Sequence, residues 1–238
     1  MGFIKDDPIS IPHEFKKQQD IEIAGLIASI FAWGQRKTII NKSKHFLSLM
    51  GNEPHRFVLE HQEADLKPFV DFKHRTFNGT DALYFLHFFR WFYSRNSSLE
   101  DAFIIGLGTE DSTIETSLIN FFDCFFSLDD HPKRAYKHIP TPLRKSACKR
   151  INMFLRWMVR KDDKQVDFGI WDRIKPSQLV CPCDLHVDRV ARRLGLINRK
   201  QTDWLTALEL TESLKKFDRE DPVKYDFALF GLGVEEKF

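Results

Sequence analysis

Residues 20–33 read DIEIAGLIASIFAW, and this stretch decides the fold class. Its apolar residues fall on nearly every side of a helical wheel, which is typical of a helix that is buried all round. Asp20 is expected to cap its N-terminus, and Gly34 is expected to end it. The stretch therefore predicts a central helix of the core.

Apolar residues recur at helical spacing through almost all of the remaining chain, and no stretch alternates as a strand between Asn-Gly or Asp-Gly turns. Thr80 or Asp81 is expected to begin an aromatic-rich helix, and the spacing of Ser112 and Glu115 fits a capping box. The expected fold is all-α. Its further helices are predicted over residues 36–50, 80–93, 145–160 and 203–216, and from Ser112, Asp184 and Asp221.

The charges are balanced in number but segregated along the chain. The 238 residues, enough for a core without disulfides or metal, include 36 basic and 34 acidic side chains. Residues 96–130 contain eight acidic residues and no Lys or Arg, whereas residues 131–161 contain ten basic residues and no Asp or Glu. Such a basic block attracts polyanions such as a nucleic-acid backbone, although a solvated basic face is the commoner explanation.

The four cysteines and residues 1–10 indicate in which cellular compartment the protein is expected. The four cysteines form no Cys-x-x-Cys pair, and residues 1–10, MGFIKDDPIS, lack the apolar segment of a secretion signal. No apolar run approaches the roughly 20 residues that a membrane-spanning helix needs. We therefore expect a cytoplasmic protein with reduced thiols and no membrane partner.

Residues 181–196, CPCDLHVDRVARRLGL, combine two thiols, a histidine and a helix start. Cys181, Cys183 and His186 have poor spacing for a tetrahedral zinc site, so no metal is expected and the cysteines are predicted to pack around Pro182. A reactive Cys183 thiolate remains an alternative. Asp184 is predicted to be the N-cap, and a carboxylate fixed there also suits the stabilisation of a developing cation.

The helix predicted over residues 145–160 carries basic residues opposite its apolar stripe: Lys145, Lys149, Arg156 and Arg160. The simplest interpretation of Lys149 is a solvated lysine. The alternative is an amine nucleophile that neighbouring cations activate for Schiff-base formation. Periodicity alone does not choose between Lys145 and Lys149.

Three separated segments resemble the helix-hairpin-helix DNA glycosylases, the superfamily of endonuclease III and 8-oxoguanine glycosylase. They are IEIAGLIASIFAWGQRKTIINKSKHFL (21–47), SACKRINMFLRWM (146–158) and CPCDLHVDRVARRLGL (181–196), and they occur in the superfamily's order. DPVKYDFALFGLG (221–233) resembles its last core helix. More closely, the whole chain resembles a bacterial family of uncharacterised proteins that carries DIEIAGLIASIFAWGQR, KRINMFLRWMVR and KYDFALFGLG.

The superfamily resemblance implies one domain of two helical lobes with a cleft between them, approximately residues 36–148 and residues 1–35 plus 149–238. A damaged base would be flipped into the cleft and detached from its sugar. Lys149 would occupy the Schiff-base position and Asp184 that of the catalytic carboxylate. The implied nucleic-acid contacts are Gln35, which would fill the space left by the base, Arg36, Arg144, Lys145 and Arg150.

The chain also departs from the superfamily pattern. The segment at the hairpin, IPTPLRKSACK (139–149), contains no glycine, whereas the superfamily's glycine-rich turn binds DNA phosphate through backbone N–H groups. The four-cysteine iron–sulfur motif of endonuclease III is absent, so no cofactor is expected.

The sequence thus leads to a base-excision DNA glycosylase, with or without lyase activity, as the first hypothesis. DNA is the expected partner, and RNA is not excluded. The alternative is a non-catalytic nucleic-acid-binding protein that retains the glycosylase scaffold. A third hypothesis is a structural protein in which the acidic and basic blocks complement each other.

Overall fold

All regular structure in the described part of the chain is helical. The computed structural model describes residues 2–234, and side chains from residue 4 to residue 233. Within that part there are twelve α-helices, seven short 3-10 helices and no strand, and two isolated bridges join His74 to Phe77 and Lys161 to Phe168. The predicted all-α fold is confirmed. No helix of the described part is long and apolar enough to cross a membrane.

The α-helices are numbered in chain order. They are α1 (Gly2–Lys5), α2 (Gln18–Phe31), α3 (Arg36–Ser48), α4 (Pro54–Glu60), α5 (Lys67–Val70), α6 (Gly79–Tyr93), α7 (Glu100–Phe103), α8 (Glu115–Phe125), α9 (Lys149–Val159), α10 (Leu185–Arg193), α11 (Trp204–Lys215) and α12 (Asp226–Val234).

The chain divides into two compact units. The first consists of the residues up to Phe103 together with Phe121–Ile139, and the second consists of Ile104–Asn120 together with the residues from Pro140 onward. The lobes predicted from the sequence, 36–148 and 1–35 plus 149–238, stay a prediction.

In the first unit α2 is buried along most of its length, as predicted for the central helix. Eleven of its fourteen residues are buried, including the carboxylate of Glu22, which accepts hydrogen bonds from the Tyr93 hydroxyl (2.8 Å) and the Leu99 N–H (2.9 Å). The predicted cap at Asp20 is wrong, because α2 already begins at Gln18. The Asp20 carboxylate instead accepts the backbone N–H of His55 at 2.8 Å, a partner distant in sequence.

The aromatic-rich helix α6 begins slightly earlier than predicted. Asn78 is its N-cap and forms a capping box with Asp81, so that Gly79 is the first helical residue. The buried Asp81 carboxylate also accepts hydrogen bonds from Arg134 and, at 3.2 Å, from His138. Burial opposes ionisation of Asp81, but these hydrogen bonds and the one from the Asn78 backbone outweigh it and hold its pKa below the ordinary value.

The second unit departs from two further predictions. α8 begins at Glu115 with its N–H near the Thr113 hydroxyl (3.4 Å), rather than at Ser112. α9 begins at Lys149, four residues after the predicted start, because Lys145 and Cys148 adopt left-handed backbone conformations with φ of 55° and 53°. Non-glycine residues in that region interrupt a right-handed helix.

The predicted solvated face of α9 is partly wrong. Arg156 and Arg160 are buried, and both form ion pairs with Asp167, at 3.3 Å from Arg156 Nε and 2.5 Å from Arg160 Nη1. Arg160 also pairs with Asp221 at 2.7 Å. α9 is therefore covered on both its apolar and its arginine-bearing sides, and nine of its eleven residues are buried.

Candidate functional site

Asp184 caps α10, as predicted. Its backbone is extended, and its Oδ1 accepts the N–H groups of His186 (2.9 Å) and Val187 (3.0 Å). These two bonds fix the orientation of the carboxylate, and they occupy only one of its oxygens. The side chain is 21% exposed, so Oδ2 belongs to a rigid carboxylate that is not sealed in the core.

Oδ2 of Asp184 lies 3.9 Å from Nζ of Lys149, the first residue of α9. The Lys149 amine also lies 3.5 Å from the sulfur of Met153, one turn further along the helix, and its side chain is 28% exposed. The structure thus brings together, within the second unit, the two residues that the resemblance placed at the chemical centre. Lys149 is the first residue of α9 and Asp184 is the N-cap of α10, so the starts of two helices position the pair.

A second carboxylate, that of Asp226, interacts electrostatically with this pair. Asp226, the first residue of α12, is buried and accepts a hydrogen bond from Arg156 Nη1. Burial raises the pKa of Asp226, and the positive charges of Arg156 and Lys149 oppose the shift. Sequence reasoning did not identify Asp226 or the buried role of Arg156. The available signal was only the position of Asp226 just after a Pro-initiated turn, Pro222–Tyr225, at a helix start.

The two cysteines are packing residues, as predicted. Cys181 and Cys183 are buried, and burial raises the pKa of the Cys183 thiol to about 12 and that of Cys181 well above its ordinary value. A thiol in this state is a poor nucleophile, which argues against the alternative of a reactive Cys183. No group of three or more His, Cys, Asp or Glu side chains in the described residues is arranged to hold a metal ion.

The residues predicted to bind nucleic acid fall in both units. Arg144 and Lys145 are exposed at the end of the short helix Pro142–Arg144, in the same unit as Lys149, whereas Arg150 is partly buried and burial lowers its pKa. Gln35 and Arg36 stand at the start of α3 in the first unit, where Gln35 is exposed and its side chain makes no capping hydrogen bond.

Part of the basic block forms ion pairs outside the acidic segment 96–130. Three of its arginines, at positions 134, 156 and 160, pair with aspartates that lie outside that segment, at positions 81, 167, 221 and 226. These three arginines are already paired with carboxylates of the protein, so fewer than ten cations of the block are left for a polyanion.

Fold and site together define an all-helical protein with a lysine–aspartate pair at two helix N-termini. The family model described as "Protein of unknown function (DUF2400)" matches residues 7–235, so the chain belongs to this family. No curated protein and no solved structure matches the chain. The family match agrees with the close resemblance of the whole chain to a family of uncharacterised proteins, and its description names no activity.

Proposed function

We propose that the protein is a DNA glycosylase with Schiff-base lyase activity, in which Lys149 is the nucleophile and Asp184 the electrostatic catalyst. The observation that carries the proposal is the distance of 3.9 Å between Lys149 Nζ and Asp184 Oδ2 in a partly exposed position. The resemblance of the flanking segments to helix-hairpin-helix glycosylases supports it.

The two oxygens of Asp184 have separable roles. Oδ1 is held by two backbone N–H groups, which keeps the carboxylate in place without any movement during a reaction. Oδ2 can interact with a positive charge, which is that of Lys149 in the free protein and that of the sugar as it becomes cationic during the reaction. A preorganised negative charge of this kind stabilises an oxocarbenium-like transition state more effectively than mobile water does.

Lys149 supplies the covalent step. After losing a proton, its neutral amine attacks the sugar C1′, and the base leaves with the electron pair of the N-glycosidic bond and takes up a proton. The amine gives up a second proton and the sugar ring opens, so that O4′ is protonated and C1′ is joined to nitrogen as an iminium. Loss of a C2′ proton then expels the 3′ phosphate and cuts the strand.

The exposed Arg144 and Lys145 are the proposed phosphate contacts near the pair. They lie at a backbone turn that contains no glycine, so side chains rather than a row of backbone N–H groups would hold the DNA. Each phosphate neutralised by such a cation makes the affinity fall with added salt, by about 0.9 in log–log slope per contact.

The test is borohydride trapping on duplexes that each carry one of a panel of damaged bases. Hydride reduces the iminium at C1′ to a stable amine, so a covalent protein–DNA band reports Lys149 chemistry directly. Lys149→Arg retains a positive charge but cannot form the iminium, and it should abolish trapping. Asp184→Asn keeps an N-cap but removes the charge, and it should slow base release by about 10²–10³-fold.

Lys145→Ala is the matched control for Lys149→Arg. It should weaken DNA binding at moderate salt and retain trapping at saturating protein. Trapping that depends on Lys145 instead of Lys149 would show that the wrong lysine is assigned. Salt-sensitive DNA binding without base release on any lesion, undiminished in Asp184→Asn, would replace the proposal by the alternative, a non-catalytic nucleic-acid-binding protein.

A further inference from the structure

Trp33 is an exposed tryptophan in the turn between α2 and α3 of the first unit. Its side chain is 49% exposed, whereas Trp157, Trp171 and Trp204 are buried. Single exposed apolar residues are common and need no explanation by themselves. Trp33, however, has an ordered cationic partner, because the guanidinium of Arg75 lies over its ring at 4.5 Å from the centroid.

The backbone on both sides is shaped to make this stack. Gly34 has a φ of +119°, a conformation that favours glycine, and a Cβ there would lie 2.9 Å from Arg75 Nη1, so a larger residue would displace the guanidinium from its present position. Arg75 itself has a left-handed φ of 54°, an unfavourable conformation for a residue with a side chain.

A hydrogen bond holds the Arg75 turn against the end of α2. The ring Nε2 of His74 lies 3.0 Å from the carbonyl oxygen of Phe31, and His74 is bridged to Phe77 across the turn. His74, the residue before Arg75, is therefore buried and held in place. The backbone at His74 and Arg75 thus helps to place the guanidinium over the Trp33 ring.

The two segments that carry the stack are strongly basic. Residues 33–45 and 71–76 together contain six basic residues and one acidic residue, Asp71. Lys37 and Lys73 are exposed and lie close in sequence to Trp33 and Arg75, respectively, and Lys44 pairs with Glu14 at 2.6 Å. A flat aromatic and guanidinium surface in basic segments of the chain matches the chemistry of a nucleotide, which combines a planar ring with an anionic phosphate.

We propose that the Trp33–Arg75 stack is a binding platform for an unpaired nucleobase of a single-stranded nucleic acid. Aromatic side chains bind single strands by stacking on base faces, and basic residues follow the phosphates. A base inside an intact duplex has both faces covered by its neighbours, so the platform selects unpaired bases. The proposal goes beyond the proposed function, because it concerns a different ligand, a single strand, and different residues, which lie in the first unit.

The experiment compares two oligomers with the same number of phosphates, about twelve: oligothymidine, and an abasic oligomer that lacks the bases. Binding is measured by fluorescence anisotropy of labelled oligomers at low salt. Phosphate contacts contribute equally to the two affinities, so their ratio isolates base stacking. We expect oligothymidine to bind about tenfold more tightly than the abasic oligomer, and more tightly than a fully paired duplex with capped ends.

Trp33→Leu should reduce the oligothymidine preference to near unity, and Trp33→Phe should retain part of it. The matched control is Trp91→Leu. Trp91 is half-buried and also has an arginine over its ring, Arg95 at 5.4 Å, but Arg95 is only four residues away and donates a hydrogen bond to the Trp91 carbonyl at the end of α6. This control should keep the full preference.

Equal binding of the two oligomers, or a preference that survives Trp33→Leu, would overturn the platform. Absence of binding by either oligomer at low salt would overturn it as well, and a protein partner for Trp33 would then be the next hypothesis. The glycosylase proposal fails separately, through the absence of trapping. Lys149→Arg should therefore abolish trapping and leave the preference for oligothymidine unchanged.

Discussion

Arg156 donates a hydrogen bond to the carboxylate of Asp226, and neither side chain is more than 9% exposed. The same guanidinium lies 3.3 Å from Asp167 and 4.0 Å above the ring of Phe227. One buried cation therefore joins α9 to the start of α12 and to the segment that follows α9. Removing it leaves two buried carboxylates with less compensation, a costly state in a medium of low polarity.

Arg156→Met should destabilise the protein by about 3–5 kcal/mol, because it removes one partner of a buried pair and keeps the volume. Urea denaturation at pH 7 measures the loss. Arg219→Met is the control, since Arg219 is exposed, and it should change the free energy of unfolding by less than about 0.5 kcal/mol. Similar values for the two variants would contradict the buried pair.

The loss caused by Arg156→Met should depend on pH. Burial raises the pKa of Asp226 and of Asp167 in the folded protein, against the influence of Arg156. When the pKa of a carboxyl group is higher in the folded than in the unfolded protein, the folded state loses stability as the pH rises from the unfolded-state pKa through the folded-state pKa. Removing Arg156 raises the folded-state pKa of Asp226 and of Asp167 further. The variant should thus lie closer to the wild type at about pH 4 than at about pH 7. A deficit that grows toward acid would contradict this assignment.

Two substitutions of Asp184 should distinguish its contribution to stability from its contribution to base release. Asp184→Ala removes both capping hydrogen bonds of Oδ1 and should cost about 1 kcal/mol in the free energy of unfolding, whereas Asp184→Asn retains a capping oxygen and should cost much less. Thermal melts of the two variants give this difference. If Asp184→Asn lost as much stability as Asp184→Ala, any loss of base release in Asp184→Asn would not report on charge alone.

The sequence predicted those elements whose determinants are local. The buried course of α2 and the cap of α10 follow from neighbouring residues, because helical periodicity and capping act within one or two turns. The start of α9 could not be predicted in this way. Its amphipathic pattern runs from residue 145, yet Lys145 and Cys148 take left-handed conformations that no propensity favours.

The features that the sequence did not predict depend on contacts between residues that are distant along the chain. A helical wheel of the predicted helix 145–160 assigns Arg156 and Arg160 to solvent, because it contains no information about the aspartates at positions 167, 221 and 226 that pair with them. The predicted cap at Asp20 is wrong for the same reason, since the partner of its carboxylate, His55, belongs to another helix. The approach of Lys149 to Asp184 came from the resemblance and not from periodicity, which left Lys145 equally eligible.

The thiols should be unreactive in the folded protein. Burial raises the pKa of Cys148 and of Cys183 to about 12, and a thiol of that pKa is ionised in only about one molecule in ten thousand at pH 8. Dithiobisnitrobenzoate should therefore label the native chain slowly, beginning with the half-buried Cys124, and label four thiols after unfolding in guanidinium. Cys124→Ser should remove the fastest phase. Rapid labelling of Cys183 in the native protein would restore it as a candidate nucleophile.

Gly79 should tolerate alanine poorly. It is the first residue of α6, and a Cβ there would lie 2.0 Å from the carbonyl oxygen of Val70, a backbone atom that cannot turn away. Gly79→Ala should cost at least about 2 kcal/mol, because α6 and the end of α5 must move apart. Gly231→Ala is the matched control within α12, where a Cβ meets nothing within 4 Å and should stabilise the helix by about 0.5–1 kcal/mol. Equal stabilities of the two variants, measured by urea denaturation, would mean that α5 does not pack on the first turn of α6 as closely as described.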